Sequence, residues 1–404
     1  MNKLPTLKPM ADIFSKYHYP KDGGKRDLRI DFIRGLVMLI LIVVHINMTS
    51  MYNYIAWERF GVVTGAEGFV MLSGLILGLL SRLRMEHDGF GSTVNKQFSR
   101  AFLLYRTSLV VILSVLIIDA IPFIDAHVAM TFTTYAGKVY HLYPDLHVFA
   151  QYHDKIIAKF FLLQYGPHQF QILGLYVILL MLSPFVLWLL SKKKFAVVLS
   201  LSWIIYFANN GFHVRPTGAQ FEYAFPILTW QILFVHGLVI GYYKNEIWNF
   251  FHSKKGAILF FFILLLFFIF LFFTYNNPLE QIPAYLRLHV IDPEVFRSIY
   301  RDYFPKNTLG IGRLINDFVL LIVSYGLLSY FWKPIESLFG WFFIPIGQAS
   351  LYIFILHVYA CIVIANIAIF GHENIVMNTL GHTAVFVFMW VMVKYKVLFN
   401  VIPR

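Results

Sequence analysis

The sequence predicts an all-α, polytopic integral membrane protein with about ten transmembrane helices, and three observations lead to that class. Hydrophobic residues make up 59% of the 404 positions and charged residues only 13%, a balance that soluble domains do not show. The apolar residues form runs of about 20, the length that crosses a hydrocarbon core. Lysine and arginine gather in alternate loops, as cytoplasmic loops require.

Ten apolar segments follow one another between residues 30 and 393. They are approximately Ile30–Ser50, Val62–Leu83, Phe98–Ile121, Gln171–Leu190, Phe195–Phe212, Phe225–Tyr243, Gly256–Tyr275, Leu309–Phe331, Gly347–Phe370 and Met377–Val393. The segments between them are mostly short, but two loops are long, at about residues 122–170 and 276–308. We therefore predict one transmembrane domain over residues 30–393.

The placement of charge predicts the orientation of the chain. Residues 1–29 carry seven lysines and arginines, which keeps the N-terminus in the cytoplasm. Ten spans return residues 394–404 to the same side, so both long loops lie outside. The formal net charge of +12 is thus explained by topology, and the expected partner is the lipid bilayer rather than nucleic acid. The single cysteine, Cys361, excludes an internal disulfide.

Two ionisable residues lie inside the first apolar segment. Arg34 and His45 are eleven residues apart, close to three helical turns, so they share one helix face at depths about 16 Å apart. Because a bilayer penalises ionisable side chains, such residues usually face the protein interior or a polar cavity. The pair predicts a site reached from both sides of the membrane. The alternative is an arginine held by headgroups and a histidine bonded to a neighbouring helix.

Glu67 lies in the second apolar segment, near its outer end. A short loop joins the first two segments, so they are expected to be antiparallel neighbours with Glu67 at the depth of His45. A carboxylate beside an imidazole fixes its tautomer and raises its pKa, the arrangement that a general base needs. We predict that His45 is the base and that Glu67 orients it. The alternative is a structural buried pair.

Several polar residues lie near the cytoplasmic ends of the first three segments. Arg100, Tyr105 and Arg106 begin the third segment at the expected depth of Arg34, and three arginines there suit the phosphates of a nucleotide-bearing donor. Positive-inside placement is the simpler explanation of these cations. The Ser73-Gly74 pair, with Gly78 one turn further, predicts close helix packing or a close approach to a ligand.

The remaining intramembrane polar groups receive structural interpretations. Arg313 and Asp317 are four residues apart in the eighth segment and are expected to pair with each other. His357, in the ninth segment, is interpreted as an interior histidine with a protein partner. The outer-loop residues His141 and His147 lack the spacing of a metal site, so no metal is expected.

These motifs carry a resemblance to a known family. RDLRIDFIRGLVMLILIVVH followed by AEGFVMLSGLILGL resembles the start of the OpgC-type membrane acyltransferases, the succinyltransferases of osmoregulated periplasmic glucans. They are related to the acyltransferase-3 group, in which ten residues separate an arginine and a histidine in the first span, as they do here. The resemblance continues through RAFLLYR, FPILTWQILFVHGLVIG and IGQASLYIFILH. The family's Ser-Gly-Tyr is here Ser73-Gly74-Leu75, without the phenol, and Val44 stands where an acid is expected.

The resemblance implies an enzyme of the bacterial cytoplasmic membrane. It would move an acyl group, succinyl by default, from cytoplasmic acyl-CoA to a hydroxyl of a glycan outside, with no tightly bound cofactor. His45 would be the base. The donor site implied by the resemblance comprises Arg34, Ser73, Arg100, Tyr105 and Arg106. The implied substrate site comprises Trp230, Gln231, Arg313 and His357. A transporter or flippase of a glycan or lipid-linked solute and a non-catalytic scaffold remain alternatives. Direct transfer, an acyl-histidine intermediate and a homo-oligomeric state stay open.

Overall fold

The structure is a computed structural model that describes residues 17–20, 26–133, 138–144, 152–370 and 374–404, without the side chain of His153. Most of the basic segment 1–29 lies outside these residues, as does His147. The helices are α1 (Leu28–His45), α2 (Asn53–Ala56), α3 (Gly65–Asp119), α4 (His127–Met130), α5 (His153–Phe161), α6 (Ile172–Ser191), α7 (Phe195–Phe212), α8 (Phe221–Ala224), α9 (Ile227–Tyr242), α10 (Lys244–Phe251), α11 (Lys254–Tyr275), α12 (Pro293–Tyr303), α13 (Ile311–Tyr330), α14 (Trp332–Ile335), α15 (Trp341–Gln348), α16 (Ser350–Ala365) and α17 (Ile375–Lys394). Short 3₁₀ or π turns cover His168–Phe170, Ala284–Leu286 and Glu336–Gly340.

The fold is helical, as predicted, with one small addition in the first long loop. Two three-residue strands, β1 (Thr131–Thr133) and β2 (Val139–His141), form an antiparallel ribbon. Their β-branched and aromatic residues favour extended backbone. The ribbon is the one sheet within the described part of the chain.

Several helices have the length and composition of membrane spans, which makes this a multi-pass membrane protein. Within the described ranges six helices meet both criteria, and a seventh span arises if the pair 332–348 and 350–365, bent by 87°, is taken as one. One of the six is α3, whose 55 residues contain a non-helical break at Gly89 (φ 80°, ψ 170°), a conformation that glycine adopts without strain. The count of ten spans and the cytoplasmic location of the termini stay predictions.

The break at Gly89 turns α3 into an antiparallel hairpin. The Gln97 amide nitrogen donates to the Ser81 hydroxyl at 3.0 Å, and the two residues lie eight positions on either side of Gly89. The Ser183 hydroxyl of α6 donates to the amide oxygen of the same Gln97 at 2.8 Å. These buried bonds place both arms of α3 and the middle of α6 at one depth.

Four glycines bring α3 and α9 into backbone contact. Gly74 and Gly78 on α3 face α9, and Gly237 and Gly241 on α9 face α3. A Cβ atom at Gly78 would lie 2.0 Å from the carbonyl oxygen of Leu238, so no larger residue fits without moving the helices. The prediction of helix packing at Gly74 and Gly78 is confirmed, as is usual for small residues spaced by four in membrane helices.

Part of the first long loop enters the depth of the spans. The Tyr105 hydroxyl, on α3, donates to the carbonyl oxygen of Phe161 at 2.8 Å. Tyr105 is eight residues, or about 12 Å, beyond Gln97 and lies well inside the third apolar segment. Residues 162–171 run from there to the start of α6. Non-helical backbone at this depth is tolerated where it is enclosed by protein or lines a polar cavity.

Buried charges hold the start of α1 in place. The Asp27 carboxylate accepts bonds from the Arg29 guanidinium at 2.8 Å, the Lys244 ammonium at 2.6 Å and the Tyr325 hydroxyl at 2.8 Å. Burial disfavours the Asp27 carboxylate, but Arg29 and Lys244 outweigh it and lower the pKa of Asp27 to about 2. This cluster joins α1 to α10 and α13, and thereby sets the position of Arg34 two turns further along.

Candidate active site

Three histidines from distant parts of the chain meet at the C-terminal end of α1. His45, the last residue of α1, places its Nδ1 atom 3.1 Å from Nε2 of His357 on α16, and the two rings are stacked with centroids 5.1 Å apart. His168, from the deep segment of the outer loop, lies edge-on to His45 with centroids 6.1 Å apart. Their contact could not be predicted from sequence spacing, since they are separated by more than a hundred positions.

The hydrogen bonds of His357 decide which nitrogen of His45 is free. Nδ1 of His357 lies 2.5 Å from the carbonyl oxygen of Phe354, and a carbonyl only accepts, so this nitrogen carries the proton. Nε2 of the neutral His357 ring therefore accepts from Nδ1–H of His45. This leaves Nε2 of His45 unprotonated and available as a base.

Glu67 does not take part in this cluster, so the predicted His45–Glu67 pair is wrong. One Glu67 oxygen accepts from Arg313 at 2.8 Å, and the other accepts from the Thr64 backbone N–H at 3.0 Å and from the Thr64 hydroxyl. The reason is local: Glu67 is the third residue of α3 and folds back onto its helix cap. The titratable side chains that interact electrostatically with His45 are those of His357, His168 and Lys306.

Arg313 is the centre of a second buried cluster. Besides Glu67 it donates to Glu58 at 2.8 Å and to the Tyr300 hydroxyl at 3.0 Å, and it is fully buried. Burial, with the adjacent Glu58, raises the pKa of the Tyr300 hydroxyl, which consequently stays protonated and donates to Glu58. The expected ion pair with Asp317 is also wrong, because the Arg313 guanidinium bonds Glu67, Glu58, Tyr300 and the carbonyl oxygen of Phe304 instead.

A crevice opens on the same face of α1, below the histidines. Arg34 donates to the Ser350 hydroxyl at the bend between α15 and α16, and lies 3.8 Å from Asp31. The crevice is narrow and partly open, and about 200 Å³ of space lies between its walls and the surroundings. Its lining residues are Arg34, Val37, Met38, Phe69, Leu72, Ser73 and Ser350. A crevice this narrow has no room for a whole nucleotide.

A tyrosine that sequence reasoning missed completes the crevice. The phenol of Tyr176, on α6, hydrogen-bonds Ser73 and faces both Arg34 and Arg100. A phenol thus contacts Ser73 from another helix, although Leu75 replaces the tyrosine of the family's Ser-Gly-Tyr. Nothing local marks Tyr176, because it is one aromatic residue in an apolar segment.

The other residues predicted at the donor site do not lie together. Arg100 faces Arg34, but Arg106 is exposed, since six residues place it about 120° further around α3. The grouping of three arginines is therefore wrong for Arg106. Tyr105, also predicted at the donor site, instead anchors the outer loop through Phe161.

Trp230 and Gln231 are buried between helices. The Trp230 indole donates to the carbonyl oxygen of Asn307 at 3.1 Å. Gln231 accepts from the Ser202 hydroxyl and donates to the Ser202 carbonyl oxygen, both at 2.8 Å. Their role in substrate binding, like that of the saturated Arg313, stays a prediction without a contact to support it.

Aromatic rings connect the crevice to the histidines. Phe69, which lines the crevice, stacks on Phe354 with centroids 5.3 Å apart, and Phe354 lies 4.8 Å from His357. The site is therefore continuous from Arg34, in the second turn of α1, to His45 at the end of that helix. Among the described residues no group of histidine, cysteine, aspartate or glutamate side chains has the geometry of a metal site.

Comparison with known proteins gives one match. A family model described as "OpgC protein" matches residues 26–400, nearly the whole chain. No curated protein and no solved structure matches. The matched range contains every residue of the histidine cluster and the crevice.

Proposed function

The chain belongs to the OpgC protein family, and because this membership suggests an acyltransferase-like role, we propose that the protein is an acyl-CoA-dependent O-acyltransferase. The donor binds from the cytoplasm, and the acceptor is a hydroxyl of a periplasmic or cell-surface glycan. Succinyl is the default acyl group. The proposal includes ten spans, both termini in the cytoplasm, and a location in the bacterial inner membrane.

The contact of His45 Nδ1 with His357 Nε2 at 3.1 Å, which leaves Nε2 of His45 as the base, is the observation that supports this function most. Nε2 of His45 takes the proton of the acceptor hydroxyl as the oxygen attacks the thioester carbonyl. The C–S bond of the tetrahedral intermediate then breaks, and the imidazolium returns the proton to the departing thiolate. During this step His357 holds the ring and shares its positive charge through the Nδ1–H bond.

The donor side follows from the shape and charge of the crevice. Arg34 and Arg100 attract phosphates at the cytoplasmic end, while the narrow interior admits the pantetheine chain and excludes the nucleotide. Ser73, Ser350 and Tyr176 supply hydrogen-bonding groups along that chain. Holding both substrates at His45 replaces a bimolecular encounter, which contributes much of the rate.

The proposal is tested with the purified protein in sealed proteoliposomes, with acyl-CoA on one side and an unacylated glycan on the other. Acyl-CoA is expected to be consumed in step with ester formed on the glycan, measured as free thiol and as a fixed mass increase. Transport of the glycan without thiol release would support the transporter instead. Neither activity in a folded protein would support the scaffold.

His357 gives a prediction that separates orientation from simple packing. His357→Ala removes the acceptor of His45 Nδ1–H, whereas the amide oxygen of His357→Gln can replace it. We expect roughly a tenfold to hundredfold loss of kcat for the alanine variant and partial recovery for glutamine, as for other orienting partners. The measurement is kcat as a function of pH, because loss of the hydrogen-bond partner of His45 also shifts the acidic limb of the pH–rate profile. Equal losses in both variants, with an unchanged profile, would contradict the assignment.

A further inference from the structure

The β1–β2 ribbon presents two aromatic side chains on one face. Phe132 and Tyr140 are directly opposite each other in the register, and opposite residues of an antiparallel pair project to the same side. Both are exposed, to 43% and 44%. Large aromatic side chains left open to the surroundings at adjacent positions indicate a contact surface.

This surface is continuous with the histidine cluster. The ring of Phe132 lies 5.3 Å from that of His168, and His168 in turn lies 6.1 Å from His45. The chain of rings therefore leads from Tyr140, through Phe132 and His168, to the imidazole proposed as the base. A ligand seated on the ribbon has its next group at His45.

Backbone and side-chain bonds keep the ribbon in register with the site. The Leu142 N–H donates to the Met130 carbonyl oxygen at 2.9 Å, and the Gly166 N–H donates to the Leu142 carbonyl oxygen at 3.3 Å. The Gln169 side chain, next to His168, donates to the Val128 carbonyl oxygen at 3.0 Å. The surface is thus positioned before any ligand binds, which lowers the entropic cost of binding.

The chemistry of the ribbon fits a sugar better than a lipid. Thr131, Thr133 and His141 alternate with the two aromatic residues and project to the opposite face of the ribbon. Its strands have three residues each, far fewer than the roughly 9–11 residues of a strand that crosses a bilayer. Pyranose rings carry C–H groups on their faces and hydroxyls on their edges, so they stack on aromatic rings while their hydroxyls remain hydrogen-bonded. The Tyr140 hydroxyl is a suitable partner for such hydroxyls.

We infer that Phe132 and Tyr140 form a sugar-binding platform that seats successive pyranose units of the acceptor glycan and presents a hydroxyl of the next unit to His45. This rests on the proposed function and adds the acceptor subsite to it. The subsite serves an oligosaccharide and is not needed by a small alcohol, because a small alcohol reaches His45 without touching the ribbon.

The test compares two acceptors in the full-length protein reconstituted in vesicles of phosphatidylethanolamine and phosphatidylglycerol. The variant is Phe132→Ala with Tyr140→Ala, and the acceptors are an unacylated glucose oligosaccharide and glycerol. We expect the KM for the oligosaccharide to rise about tenfold, since each ring contact contributes roughly a factor of three, while transfer to glycerol stays within about twofold. Phe132→Trp with Tyr140→Phe keeps both rings and should restore the oligosaccharide KM.

Phe123→Ala is the matched control, because Phe123 is 85% exposed in the same outer loop and has no ring contact with the described histidines. A rise in KM equal to that of the control, or a rise below about twofold, would overturn the platform. If the wild type transfers nothing to either acceptor, the proposed function fails. The sugar-binding platform is then tested separately, by calorimetric measurement of oligosaccharide binding. Binding about tenfold weaker in the double variant supports the platform, and equal binding overturns it.

Discussion

Replacing His45 with alanine is expected to lower the rate of acyl transfer by about 10²–10⁴-fold, the range that a positioned general base contributes. The physical reason is the loss of the His45 Nε2 atom, which is unprotonated and has no described protein partner when Nδ1–H of His45 is donated to His357. The readout is thiol release from acyl-CoA together with the mass of the glycan product. Both should fall by the same factor, because one proton transfer serves bond formation and bond cleavage.

His382→Ala is the matched control for this variant. His382, on α17, lies against Tyr52 and Phe386 and not against the cluster, and it is fully buried where His45 is half-buried. Both variants should show similar small losses in thermal stability, and the control should keep its activity. If His45→Ala transferred acyl groups at the wild-type rate while folded, the base assignment would be refuted. If His382→Ala lost as much activity, the effect would reflect packing.

The second large effect is expected on stability. Arg313→Met leaves the Glu67 and Glu58 carboxylates without their shared cation, and Glu67 is fully buried. Removing one partner of a buried ion pair costs about 3–5 kcal/mol, because the other charge stays desolvated and uncompensated. We expect this fall in the free energy of unfolding in detergent or bilayer, measured by denaturant titration. Arg106→Met, at an exposed arginine, should change it by less than about 0.5 kcal/mol.

Glu67→Gln distinguishes the structural role of Glu67 from the catalytic role that the sequence indicated. The bonds to Arg313 and Thr64 account for both carboxylate oxygens, so the amide should weaken folding while the folded fraction keeps its kcat. A large loss of kcat with unchanged stability would return Glu67 to the catalytic site. Equal stability of Arg313→Met and Arg106→Met would refute the cluster's contribution.

Two features of the site could be predicted from the sequence because they depend on one helix at a time. The eleven-residue spacing placed Arg34 and His45 on a common face of α1, and the crevice and the histidine cluster indeed lie along it. The glycine spacing in α3 likewise predicted close packing. Helical periodicity carries such information, since it needs no knowledge of neighbouring helices.

The partners of His45 could not be predicted in this way. A short connection identified α3 as a neighbour, but not which way the Glu67 side chain turns once it caps its own helix. His168 lies on a segment of the first long loop that reaches the depth of the membrane-spanning helices. The Gly166-Pro167 pair before it is the one local signal that the chain changes course there.

The sequence by itself determined the membrane class, the location of most helices, the family and the residue proposed as the base. These follow from hydrophobicity and short-range spacing, which act through the local chain and the surrounding solvent. The tertiary structure alone decided that His357 and His168, not Glu67, surround His45, that Glu67 belongs to Arg313, and that Tyr176 reaches Ser73. Such contacts depend on the rotation of each helix about its axis and on the path of a loop. Both are set by the packing of the whole chain.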